Sequence, residues 1–181
     1  TKAIATPDDL KGFKIRVPGI AMWVSMFKAL GAAPTVIPFG ELYSALQTKV
    51  VDGQENPLAL ISSAKLYEVQ KYCTYTSHVW DCFTLVGNKR NWTALPADLQ
   101  ALATRILDAH AVKQRAAHEA MESSLEAKLK AAGMQFNKVD GKPFREMLQK
   151  AGYYADWQKK FGPEAWALLE KLNGGPIEKI G

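Results

Sequence analysis

An α/β fold with parallel strands is the class this sequence predicts, on three observations. Residues 13–55 alternate short β-branched runs with stretches that are apolar at helical spacing, and strand–helix–strand–helix order is how parallel sheets are built. Residues 97–132 contain neither Gly nor Pro, so one very long helix follows. The 181 residues are 48% hydrophobic and 23% charged, the balance of a globular chain with a sizeable core.

The elements follow in order. In "FKIRVPG" (13–19), Phe13, Ile15 and Val17 alternate with Lys14 and Arg16, which predicts a strand with one buried face, ended by Pro18-Gly19. "IAMWVSMFKALG" (20–31) reads as a helix closed by Gly31. "PTVIPF" (34–39) is a second strand. Residues 40–51, "GELYSALQTKVV", are a second helix with Leu42, Ala45, Leu46 and Val50 on one face. Asp52-Gly53 reads as the turn that breaks it. A shorter helix occupies 57–71, and the β-branched and aromatic residues of 72–89 read as a strand region. It is long for one strand, so a bend or a crossing between two units is expected.

Pro96 suits the first turn of the long helix, and Leu99, Leu102, Ile106, Leu107, Met121, Leu125 and Leu129 keep its stripe until Gly133. At 1.5 Å per residue it would span about 54 Å. That exceeds the width of a small domain, so the helix must bridge two lobes, form a coiled coil or kink. No a/d heptad is sustained, which argues against a simple coiled coil. The stripe weakens at Lys113–Ala116, where a bend or an exposed stretch is expected. A small strand at 134–140 and two or three short helices rich in Tyr and Trp complete the chain.

Several function classes find no support. No apolar run approaches the roughly 20 residues of a membrane span. The first residues lack a basic head followed by an apolar stretch, so either a leader has been removed or an upstream part is absent. The net charge of +5 is spread over the chain rather than gathered on one tail, and no nucleic-acid partner is expected. Cys73 and Cys82 form no CxxC, and His78, His110 and His118 are not placed to complete a metal site with them. The two cysteines read as buried thiols, with a disulfide as the alternative in an oxidising compartment. No nucleophile motif surrounds Ser62-Ser63 and no phosphate loop is present. Hence no catalytic residue, metal or cofactor is assigned.

The blocks "LKGFKIRVPG", "GAAPTVIPFGELYSALQTKVVDGQENPL", "YEVQKY", "TSHVW" and "LPADLQ" before the long helix resemble, in that order, the C-terminal half of TRAP-transporter (tripartite ATP-independent periplasmic) solute-binding proteins of the DctP type. "ELYSALQTKVVDGQENP" is the most specific block. The resemblance implies a periplasmic-binding-protein-like α/β fold of two lobes, with a long helix running across both. Residues 10–85 would then be the α/β ligand-binding lobe. Residues 86–181 would carry the long helix, the short strand and the C-terminal helices, with most of the N-terminal lobe absent from this chain. It further implies a periplasmic receptor, not an enzyme, that captures a small organic acid and delivers it to membrane permease subunits.

The resemblance also supplies site residues. Arg16 would hold the ligand carboxylate through a bidentate salt bridge, because a guanidinium offers a planar, permanently charged fork. A strand-end arginine in a surface ion pair is the plainer alternative. Gly19 would leave room for close approach. Asn56 of "QENP" would contact the ligand, or simply occupy an extended turn before Pro57. Phe39 would wall the pocket, or be an ordinary core residue. His78 of "TSH" would lie near the ligand, or be a satisfied core histidine. Trp80, on the same face if both sit in a strand, would narrow the pocket. Glu55 is read as structural, or as orienting Arg16 or Asn56. Sialic-acid binders carry Asn after "RVP" where this chain has Gly19, so a smaller or flatter acid is expected: a keto, hydroxy, dicarboxylic or aromatic carboxylate. A helical interaction module, or a small hydrolase using Ser62, Ser63, His78 and Asp81, are the alternatives.

Overall fold

The computed structural model describes residues 2–80 and 82–177. Asp81, which the hydrolase alternative requires, lies outside the described residues. Strand β1 (Lys14–Val17) is followed by helix α1 (Ala21–Ala29), strand β2 (Ala33–Val36), helix α2 (Leu42–Gln47) and strand β3 (Gly53–Gln54). The three strands form a parallel sheet in the order β2-β1-β3. The expected strand–helix–strand–helix run is therefore present, with one addition. The dipeptide read as a helix-ending turn contributes Gly53 to a third strand, pairing Ile15 with Gly53 and Arg16 with Gln54. Asp52 joins the same ladder, its N–H donating to the Lys14 carbonyl at 2.7 Å while its carboxylate accepts from the Lys14 N–H at 3.1 Å.

That third strand changes the environment of β1. As an edge or half-exposed strand it would keep Arg16 in solvent. As the middle strand it has cover on both faces, and Ile15, Arg16 and Val17 are all buried while Lys14 is exposed. Parallel sheets of α/β proteins behave this way because crossover helices cover their faces.

The second helix is shorter than the expected 40–51. A 3-10 turn at Phe39–Glu41 leads into α2, which stops at Gln47. Lys49 adopts φ 61°, and the N–H groups of Lys49 and Val50 close back on the carbonyls of Leu46 and Ala45 at 3.2 and 2.9 Å. This is a Schellman ending carried by lysine instead of the usual glycine. The turn sends Val50 into solvent and gives its expected core place to Val51, which is 1% exposed.

Helix α3 (Leu58–Ser63) precedes strand β4 (Tyr72–Tyr75), and the short helix α4 (Lys89–Thr93) leads to α5 (Ala97–Ala131). The expected long strand over 72–89 is confined to β4. Helix α5 is 35 residues without interruption, so the stretch around Lys113–Ala116 is exposed rather than broken. Gly133, φ 94°, ends the helical region. Strand β5 (Gln135–Lys138) then pairs in parallel with β4, Tyr72 opposite Gln135. Helices α6 (Lys142–Lys150), α7 (Tyr153–Phe161) and α8 (Pro163–Leu172) follow.

Two apolar cores result, and both draw on residues from either side of residue 85. One packs Leu42, Leu46, Val51, Leu58, Ile61 and Leu66 against Leu125, Leu129 and Met134. Leu42, Leu66 and Leu129 are fully buried, each contributing about 1.5–3 kcal/mol by loss of apolar contact with water. The other packs Leu10, Ile15, Val17, Met26, Phe27 and Leu30 against Leu148. The N-terminal two-thirds of α5 joins neither core: Leu99, Leu102, Ile106 and Leu107 are all exposed. Cys73 is half-buried but Cys82 is exposed, and the two are not bridged. No described helix is long and apolar enough to cross a membrane.

Candidate ligand-binding site

Because β1, β2 and β3 run parallel, their carboxyl ends open on one edge. Residues just beyond those ends sit where open α/β sheets place ligands. Arg16 lies near the end of β1 and Gly19 follows it. Ile37 and Phe39 follow β2, and Glu55 and Asn56 follow β3.

Arg16 is the centre of this edge. It is 4% exposed, and no other polar or charged residue among those described is as buried. Its Nε–H donates to the Ile37 carbonyl at 2.8 Å, and its guanidinium carbon stands 5.9 Å from the centre of the Phe39 ring. Among the described residues no carboxylate lies within salt-bridge distance of it. One of its five donors is thus accounted for by the protein. Burial pulls its pKa down from the ordinary guanidinium value, and the charge of Glu55 acts in the opposite direction. A guanidinium still keeps its proton at physiological pH. A buried cation without a counter-ion is costly, and an incoming carboxylate would relieve that cost.

Glu55 and His78 complete the arrangement. The Glu55 carboxylate meets His78 Nε2 at 3.3 Å, while His78 Nδ1 meets the Thr76 hydroxyl at 2.6 Å. An ionised carboxylate only accepts, so the contact with Glu55 puts a hydrogen on Nε2, while the Thr76 hydroxyl can donate to Nδ1 or accept from it. The imidazole also stands edge-on to Phe27, centroids 5.6 Å apart at 67°. Both side chains are largely sheltered, 25% exposed for His78 and 16% for Glu55. His78 is therefore held by Glu55 and Thr76, not by Ser62 or Ser63. Ser62 instead accepts from Lys128 at 3.2 Å, and Ser63 donates to its own helix at the Leu60 carbonyl. The serine–histidine arrangement of the hydrolase alternative is absent among the described residues.

The remaining expected residues are placed unequally. Asn56 is half-buried beside Glu55, its amide donating to the Gln54 side chain. Phe39 is 40% exposed and faces Arg16, so it is not an ordinary core residue. Gly19 is exposed, and a Cβ there would meet only Val36 at 3.6 Å, so the protein's own packing does not demand glycine. Trp80 stands apart. The chain after β4 is not a strand, the expected shared face with His78 does not form, and the indole is 85% exposed. Two concavities, about 400 Å³ at Lys11, Phe13 and Asp52 and about 300 Å³ at Tyr75, Glu126 and Lys138, lie elsewhere.

The sequence model of the bacterial extracellular solute-binding proteins, family 7, matches residues 1–160. The chain belongs to this family. Among curated relatives, the C4-dicarboxylate-binding periplasmic protein DctP of Rhodobacter capsulatus is 35% identical over 178 residues, covering 98% of this chain and 50% of its own length. The 2,3-diketo-L-gulonate-binding periplasmic protein YiaO of Escherichia coli is 35% identical over 147 residues, 80% of this chain and 44% of its own. Among solved structures, a TRAP periplasmic solute-binding protein from Polaromonas sp. JS666 bound to D-erythronate superposes with a TM-score of 0.85 at 34% identity, covering 91% of this chain and 54% of that one. This family 7 chain thus has the α/β fold of TRAP solute-binding proteins, which are receptors rather than enzymes. It spans about half the length of the curated relatives it matches.

Sequence reasoning gave Glu55 at most an orienting part. A lone acid in "GQENP" gives no signal of its own, and its partner His78 is 23 residues away.

Proposed function

We propose that this chain is the carboxylate-holding part of a periplasmic TRAP receptor, and that Arg16 grips the carboxylate of a small organic acid for delivery to membrane permease subunits. The single observation that carries this reading is the burial of Arg16, with only its Nε–H engaged among the described residues, at the carboxyl ends of three parallel strands. Nε bonded to Ile37 holds the guanidinium plane, and the outer nitrogens are left to make two parallel bonds to a carboxylate. Phe39 packs on the ligand's carbon skeleton. Asn56 faces its hydroxyl or keto oxygens, His78 borders the site with its ring nitrogens engaged by Thr76 and Glu55, and Gly19 leaves room beside them. Residues 10–85 supply the ligand-binding lobe, and residues 86–181 supply the lobe-spanning helix and the C-terminal helices. The ligands of these relatives, a C4-dicarboxylate, a diketo sugar acid and an aldonate, share a carboxylate and small size, which favours a hydroxy, keto or dicarboxylic acid here.

The test is Arg16→Ala and Arg16→Lys in the complete receptor, titrated calorimetrically with D-erythronate, D-glucuronate and succinate. Losing one partner of a buried charge pair costs about 2–5 kcal/mol, so Arg16→Ala should weaken the tightest acid at least ~30-fold. Arg16→Lys should recover only part of that, because an ammonium keeps the charge but not the fork. Unchanged affinity in Arg16→Ala would sink the assignment.

A further inference from the structure

Helix α3 begins immediately after the site, and its start is built in an unusual way. Its N-cap is Pro57, whose side chain can accept no hydrogen bond, so the local cap that Ser, Thr, Asp or Asn would give is missing. The N–H of Ala59, in the first turn, is instead satisfied from the long helix: Glu122 Oε1 of α5 accepts from it at 3.1 Å, across 63 residues of sequence. A carboxylate is also the favoured charge at a helix N-terminus. A second polar link, Lys128 Nζ to the Ser62 hydroxyl at 3.2 Å, ties the far end of α3 to the next turns of α5. Between them Leu58 and Ile61 pack with Leu125 and Leu129. Pro57 is also the residue after Asn56, so whatever fixes the start of α3 fixes the direction in which the 54–56 segment leaves β3.

We infer that Glu122 is a positioning residue for ligand binding: it holds the Asn56-Pro57 segment to the long helix and so sets where Asn56 meets the acid. The inference rests on the receptor reading above. Glu122 touches no ligand. It acts through the backbone of residues 56–59, and because it belongs to α5 it makes the placement of Asn56 follow that helix. His118, one turn earlier, approaches the same carboxylate oxygen at 3.7 Å, so the oxygen that accepts from Ala59 has a second neighbour on its own helix.

The test uses the complete receptor with Glu122→Ala, Glu122→Gln, Asn56→Ala and the Glu122→Ala/Asn56→Ala double variant. Hydrogen exchange without ligand reads the cap itself. Glu122→Ala should speed exchange of the amides of residues 58–60 about tenfold and leave the β4 amides unchanged. Glu122→Gln, which keeps an acceptor oxygen, should restore most of the protection. Affinity is then read with whichever of D-erythronate, D-glucuronate and succinate binds the wild type most tightly. Glu122→Ala should weaken it about five- to tenfold, the loss expected for one cap, and Gln should rescue it. If Glu122 acts by placing Asn56, the double variant should be little worse than Asn56→Ala alone. Exchange that does not respond to Glu122→Ala would overturn the inference. So would faster exchange with unchanged affinity, or losses that simply add to that of Asn56→Ala, since the cap would then be structural only. Loss of binding in Arg16→Ala together with no effect of Glu122→Ala would refute this inference and leave the receptor reading standing. Unchanged binding in Arg16→Ala would remove the reading beneath it.

Discussion

Residue burial separates the groups that can act from those that cannot. Arg16 and Cys73 are both sheltered, with opposite consequences. The arginine remains a cation whatever its surroundings, and among the described residues it feels the charge of Glu55 but has no carboxylate within salt-bridge distance, so its burial is a standing invitation to an anion. The Cys73 thiol responds to burial by staying neutral: loss of solvation, helped by the charge of Glu126, pushes its pKa up to about 11. Thiolate is the nucleophile, so Cys73 should resist alkylation at pH 8 and become reactive only as the pH climbs towards 11. Mass-mapped iodoacetamide labelling across that range checks this, and labelling of Cys73 that is complete at pH 8 without unfolding would contradict it. At this scale the sequence points to Arg16, Phe39, Asn56 and His78 as candidates because the blocks containing them are distinctive. The burial of Arg16 was not legible, since the alternation of Lys14 and Arg16 with apolar neighbours looks the same whether a strand has one covered face or two. The Glu55–His78 contact was equally silent, because nothing local links residues 23 apart.

Elements were legible where their ends carry a chemical signal and obscure where tertiary pairing decides. Gly31 and Gly133 mark the ends of α1 and α5 in the sequence and in the structure. The end of α2 was missed because Lys49 takes the left-handed conformation without being Gly or Asn. Strand β3 was missed because two residues contain no periodicity; only the neighbouring β1 makes Gly53-Gln54 a strand. Gly53 has a further constraint. A Cβ placed there would stand 2.7 Å from the Phe13 ring, so a larger residue must displace that ring, and the constraint comes from packing rather than from backbone angles. Gly53→Ala should therefore destabilise the protein by about 1–3 kcal/mol through overpacking, measured as a lower urea midpoint at unchanged slope. Shortening the ring in Phe13→Ala/Gly53→Ala should cost less than the two single changes together. Strict additivity would mean that the ring is not what excludes the methyl group.

The whole molecule is dominated by α5, about 52 Å long for its 35 residues. Its length alone announced an element too large for one small domain, and that expectation came from counting residues without Gly or Pro. What the sequence could not convey is the division of labour along it. Leu125 and Leu129 are core residues, while Leu99, Leu102, Ile106 and Leu107 carry the same apolar periodicity but lie exposed. Periodicity reports which face is apolar, not what covers it. The carboxyl edge of the β2-β1-β3 sheet is likewise open in this chain, with Arg16 at its base, and the chain has about half the length of its curated relatives. Recognition of a carboxylate by this edge is what the proposed function stands on. The most direct measurement is a calorimetric titration of the complete receptor with acids and their uncharged counterparts: D-glucuronate against D-glucose, D-erythronate against erythritol, succinate against succinamide. At least one acid should bind, and its neutral partner should bind at least ~30-fold more weakly, the loss expected when a buried charge is left unpaired. Equal binding of a neutral counterpart would contradict it.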